Sequence, residues 1–112
     1  MPVANQDYEK VCVVSLQGDF AGDEPAAAQK LVQEAISQRQ IVDFVLDFQG
    51  CPFIDSTGLE SLLWVKRRCE ELFGRVKLIN LDDNVRKILE MTRLEPRFES
   101  CRDLGTALKT MR

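Results

Sequence analysis

Two kinds of apolar spacing alternate along this chain, and few folds can satisfy both at once. Residues 11–17 (VCVVSLQ) and 41–48 (IVDFVLDF) are dense in β-branched and aromatic side chains, the composition of strands. Residues 76–81 (VKLINL) are apolar at alternate positions and read as a third strand. Between these runs the spacing changes to that of helices. Ala28, Leu31, Val32, Ala35 and Ile36 form one helical face, behind an acidic start at Asp23 and Glu24 with Pro25 in the first turn. Leu59, Leu62, Leu63, Cys69, Leu72 and Phe73 keep largely to one side of a second helix that starts at Thr57 and ends at Gly74. Val85, Ile88 and Leu89 face inward on a third, capped by Asp82 or Asp83 and stopped by Pro96. Residues 98–101 read as a short last strand, after which Asp103 caps a helix carrying Leu104, Ala107, Leu108 and Met111. Residues 1–10 are polar and read as irregular, or as a short edge strand near Val3. Alternation of this kind predicts an α/β fold whose parallel strands are joined by helical crossovers. The nearly unbroken apolar run at 41–48 predicts a strand covered on both faces.

The chain has 112 residues, enough for one domain spanning 1–112 and too few for two. Its net charge is −3, and Lys66, Arg67 and Arg68 are followed at once by Glu70 and Glu71, which argues against nucleic acid as a partner. No apolar run approaches the ~20 residues that span a bilayer, and the first residues lack the basic-then-apolar pattern of a signal peptide. A cytoplasmic protein without membrane insertion is expected. Cys12, Cys51, Cys69 and Cys101 are scattered without a CxxC pair, so they read as buried thiols rather than a zinc or redox site. The chain has no histidine, which removes Ser-His-Asp and Cys-His catalysis, histidine phosphotransfer and His-ligated metals. The turn at 18–22 (GDFAG) lacks the glycine spacing of a dinucleotide site, and no GxxxxGK[ST] is present. No cofactor or metal is expected.

What remains is the corner where the second strand gives way to the second helix, Asp55-Ser56-Thr57-Gly58. Thr57 followed by Glu60 fits a capping box, and Ser56 could serve as the cap instead. A hydroxyl in this position is either a cap or a place where a phosphate is added and removed.

The residues around the corner carry a resemblance. Val45-Leu46-Asp47-Phe48 followed by Phe53-Ile54-Asp55-Ser56-Thr57-Gly58-Leu59 resembles the signature of STAS domains, most closely the anti-sigma factor antagonists. Gly74-Arg75-Val76-Lys77-Leu78 and residues 83–94 resemble the strand and helix that follow, and Gly18 matches the glycine ending the early strand. The resemblance implies a mixed four- to five-stranded sheet backed by about four helices. It implies partner switching: an anti-sigma factor that is a serine kinase phosphorylates the serine after the aspartate, here Ser56, with Thr57 the runner-up. The unphosphorylated antagonist binds that kinase and frees a sigma factor, and a metal-dependent serine phosphatase resets the switch. Asp55, Ser56, Thr57 and Gly58 would then meet the partner. One position departs from the pattern: where the family carries an aspartate three residues after the glycine, this chain has Ala21, with Asp19 and Asp23 on either side, and Asp23 could substitute.

Two other readings fit parts of the sequence. A STAS-like accessory subunit without a phosphorylation cycle, such as one serving a lipid-transport ABC system, would tolerate Ala21. A small enzyme would use Asp43, Asp47 and Asp55 as a carboxylate or magnesium site, but a carboxylate with no nucleotide-binding loop activates nothing. The chain is expected not to be an enzyme. Trp64 and Val65 lie off the main apolar face of the second helix, and an exposed Trp64 there would suit a partner interface.

Overall fold

The structure, a computed structural model, describes residues 3–111. Five strands lie side by side in sequence order: β1 (Val3–Tyr8), β2 (Val11–Leu16), β3 (Asp43–Asp47), β4 (Val76–Ile79) and β5 (Glu99–Cys101). β1 runs antiparallel to β2, and the other neighbours are parallel. Among the described residues, the connections between strands hold α1 (Glu24–Arg39), α2 (Ser56–Glu71) and α3 (Asp83–Met91), with a 3-10 turn at Glu95–Arg97, and α4 (Leu104–Lys109) follows β5. This is the expected α/β architecture.

Strand pleating sorts side chains to two faces. Cys12, Val14 and Leu16 of β2, Phe44 and Leu46 of β3, and Leu78 of β4 enter the larger core beneath α1, α2 and α3. Val11, Val13, Val45 and Ile79 point the other way, into a smaller cluster closed by Ala107 of α4 and by Met111. β3 is therefore covered on both sides, as its continuous apolar run requires, with Ile41 and Phe48 buried just beyond its ends. Lys77 also lies on the α4 face with no exposed surface. Its Nζ is 3.1 Å from Glu99 Oε2 and donates to the Ala107 carbonyl at 3.4 Å.

Several expected boundaries shift for physical reasons. The N-terminal segment is neither irregular nor confined to Val3: it is a six-residue edge strand paired in register with all of β2. Only Val3 of β1 is buried, so its sequence carried no apolar pattern. The residue that turns left-handed after α2 is Phe73, with φ of 63°, and not Gly74. Phe73 is 96% exposed rather than part of the inward face. Gly74 is needed for closeness instead, since a Cβ there would lie 1.9 Å from the Val42 carbonyl oxygen. Val65, expected off the apolar face, is buried in the larger core, and so is Ser61, whose hydroxyl donates to the Pro25 carbonyl at 3.0 Å. α3 stops at Met91 with Arg93 left-handed behind it, before Pro96, which instead lies within the 3-10 turn.

Candidate functional site

Parallel α/β sheets present their loops at the carboxyl ends of the strands. β3 ends there at Asp47, and the chain crosses residues 48–54 before α2 begins at Ser56. Two backbone contacts fix this crossing to the loop after β2. Gly18 donates to the Gly50 carbonyl at 2.8 Å, and Phe20 donates to the Phe53 carbonyl at 2.9 Å. Phe20 and Ile54 then form an isolated parallel bridge, with both side chains buried. The loop presses so closely on α2 that a Cβ on Gly58 would lie 2.3 Å from the Phe20 carbonyl oxygen and 2.6 Å from Ile54 Cγ1. Gly58 is in the motif because its neighbours leave no room for a side chain.

The cap of α2 is neither Thr57 nor Ser56, and no capping box with Glu60 forms. Asp55 is the N-cap, in extended backbone, and its Oδ1 accepts from the Gly58 N–H at 2.8 Å. The same oxygen accepts from the Thr57 hydroxyl at 2.7 Å. These bonds hold the Asp55 carboxyl below the usual carboxylate range: the Thr57 hydroxyl has the largest effect, then the Gly58 N–H, with smaller pulls from the Gly22 and Thr57 N–H groups. The full charge of the carboxylate at the positive end of the helix adds to this cap. Ser56, the first residue of α2, is exposed, and its hydroxyl has no hydrogen-bond partner among the described residues.

The remaining candidates sort by distance from this corner. Asp23 is exposed at the start of α1, with no side-chain cap bond, next to the Gly22 whose N–H faces Asp55. Asp23 thus stands beside the corner, and Ala21 is half-buried in the same loop. Trp64 does not join the corner. It lies eight residues along α2 from Ser56, about 12 Å of helix rise. It is half-buried against the larger core, and it lines a groove of about 380 Å³ with Gln29, Glu60, Leu63 and Arg67. Phe53, beside the corner, is 45% exposed, a feature hidden in the sequence because its neighbours read as core.

The carboxylates that could have made a metal site are apart and already engaged. Asp43 accepts from the Arg75 N–H, Asp47 from the Gln49 N–H and the Asn80 amide, and Asp55 caps α2. No metal-holding group of side chains occurs among the described residues. The four cysteines are free, and burial pushes the Cys12 and Cys69 thiols up to about 12, which leaves them unreactive. Among the described residues, no helix is long and apolar enough to cross a membrane.

Comparison with known proteins agrees with this geometry. The family model of the STAS domain matches residues 3–107. An anti-sigma F factor antagonist from Lysinibacillus sphaericus is 26% identical over 84 residues, covering 75% of this chain and 72% of the relative. Among solved structures, a Thermotoga maritima chain superposes with a TM-score of 0.89 at 14% identity, covering 98% of this chain and 94% of that one. The Bacillus cell fate determinant SpoIIAA, solved in its phosphorylated form, superposes with a TM-score of 0.78 at 22% identity, covering 98% and 99%. With the strand-to-helix corner formed and the family match running through both cores, the chain belongs to the STAS domain family.

Proposed function

We propose that this protein is an anti-sigma factor antagonist, switched by phosphorylation of Ser56. Unphosphorylated, it binds a cognate anti-sigma serine kinase in the cytoplasm and releases a sigma factor. A metal-dependent serine phosphatase restores it. It is a substrate and binding partner, and the nucleotide and its metal belong to the kinase. The Lysinibacillus relative carries the antagonist's name, and SpoIIAA has been solved phosphorylated.

The observation that carries this reading is the exposed, uncommitted hydroxyl of Ser56 on the first residue of α2. Phosphate there adds about −1.5 to −2 charges at neutral pH. The α2 amides and the positive helix end favour the new charge, whereas the ionised Asp55 carboxylate one residue away opposes it. A partner surface fitted to a neutral hydroxyl would have to desolvate a dianion. A change of about 1.4 kcal/mol already alters affinity tenfold, so the fold need not change.

The test is to incubate the protein with the kinase and ATP, map the phosphate, and measure kinase binding by calorimetry. Phosphate is expected on Ser56 and absent from Ser56→Ala. Ser56→Asp is expected to weaken binding about tenfold or more, while Ser56→Ala keeps native affinity. Phosphate that persists in Ser56→Ala, or equal affinities for the two variants, would overturn the proposal.

A further inference from the structure

Two neighbouring hydroxyls, Ser56 and Thr57, are exposed at the start of α2, and the chemistry of a kinase that phosphorylates alcohols does not by itself separate them. We infer that Asp55 makes the separation: by holding the Thr57 hydroxyl at 2.7 Å it positions Ser56 as the sole acceptor. This rests on the antagonist reading above and concerns the same corner.

In phosphoryl transfer the acceptor oxygen forms a new bond to the γ-phosphorus of ATP. The bond from that phosphorus to its bridging oxygen breaks, ADP leaves with the electron pair, and the hydroxyl proton passes to a base on the kinase. The acceptor oxygen must therefore point outward, in line with the breaking bond, with its proton free to leave toward the kinase. Thr57 fails on both counts. Its Oγ1 is turned back toward the cap and its proton is committed to Asp55 Oδ1. Its branched β-carbon leaves few alternative rotamers in a helix. The Asp55 oxygen that holds it is itself fixed by the Gly58 N–H at 2.8 Å, and Gly58 is locked beneath the Phe20 carbonyl. Ser56 has no such restraint, and its unbranched side chain can turn outward. Asp55 is thus a positioning residue acting through Thr57.

The experiment compares the native chain with Asp55→Asn and Asp55→Ala, treated with the same kinase and ATP. The phosphate is located by fragmentation mass spectrometry, and folding of each variant is checked by near-ultraviolet circular dichroism. The amide in Asp55→Asn still accepts from the Gly58 N–H but lacks the charge that holds the Thr57 hydroxyl, whereas Asp55→Ala loses both. The fraction of phosphate on Thr57 is expected to rise in the order native, Asn, Ala, by about tenfold or more in the last, as befits loss of a hydrogen bond to a charged group. Thr57→Ser, which keeps Asp55, is expected to leave position 57 unphosphorylated. Phosphate confined to Ser56 in both Asp55 variants would overturn the selector role and leave the antagonist reading standing. A native chain that takes no phosphate on Ser56 would overturn both.

Discussion

At the residue scale the corner is built by exclusion. Gly58 could be mistaken for a flexible residue, but it is helical and buried, and its lack of a side chain lets the Phe20 carbonyl approach. Gly58→Ala must push away a backbone oxygen at 2.3 Å and the Ile54 side chain at 2.6 Å, neither of which is the free end of a flexible chain. A loss of about 1–3 kcal/mol is expected, the range for overpacking a filled site, measured as a lower urea midpoint. The loop that would move carries Phe20 and Gly22, so the same variant is expected to loosen the loop against Asp55. The motif was legible in the sequence as a set of residue types, and of the two places open to Ser56 the structure gives it the exposed first position of α2 rather than the cap. The identity of the cap was not legible. Asp, Ser and Thr all cap helices well, and only the extended backbone of Asp55 decides that the carboxylate takes the role.

At the scale of elements, helix beginnings were easier to read than helix ends. Asp103 and Asp82 announced their starts through carboxylates that accept from backbone N–H groups, and Pro25 through a fixed φ that suits a first helical turn. Ends depend on one residue's φ, and a glycine nearby is a tempting but indirect sign. α2 illustrates this, because the left-handed position is filled by Phe73 while Gly74 serves the contact with Val42. A bulky residue held at φ of 63° carries strain of about 1–2 kcal/mol, and at 96% exposure Phe73 recovers little of it by packing. Glycine relieves that strain but has more freedom to lose on folding, about 0.5–1 kcal/mol. Phe73→Gly is therefore expected to raise stability by about 0.5 kcal/mol in urea unfolding, with kinase binding unchanged because α2 separates residue 73 from Ser56. A fall in stability would show that the Phe73 ring contributes contacts that its exposure conceals.

At the scale of the whole molecule the two faces of the sheet are secured differently. The order of strands and helices was legible because burial imprints a period near 3.6 on the faces of α1, α2 and α3 and dense apolar runs on β2 and β3. The α4 face left a weaker trace: the helix has six residues, and its cover over the sheet is anchored by an ion cluster as well as by Ala107 and Met111. Lys77 read as the polar position of an alternating strand, yet it is wholly buried. Its ammonium depends on Glu99 and on the Ala107 carbonyl, while Arg75 shares Glu99 at 3.4 Å and donates to the Thr110 carbonyl. Two cations thus hold carbonyls at the end of α4, where helix polarity favours positive charge. Burial raises the Glu99 carboxyl, but the hydrogen bond and charge of Lys77, followed by Arg75, outweigh it and hold the group below its ordinary range. The partners are unequal, because Glu99 is half in solvent and Lys77 has none. Removing the carboxylate strands a buried ammonium, whereas replacing the ammonium with a thioether leaves a carboxylate that water and Arg75 can still satisfy. Glu99→Ala is therefore expected to cost about 1–2 kcal/mol, below the value for a fully buried pair because solvent screens the exposed partner. Lys77→Met is expected to stay within about 1 kcal/mol of the native chain, and the double variant to resemble Lys77→Met alone. Urea unfolding of the four proteins measures this, and hydrogen exchange should show the amides of α4 opening first in Glu99→Ala. A Lys77→Met variant as unstable as Glu99→Ala would mean that the ion pair itself, rather than the need to satisfy a buried charge, secures α4 to the sheet.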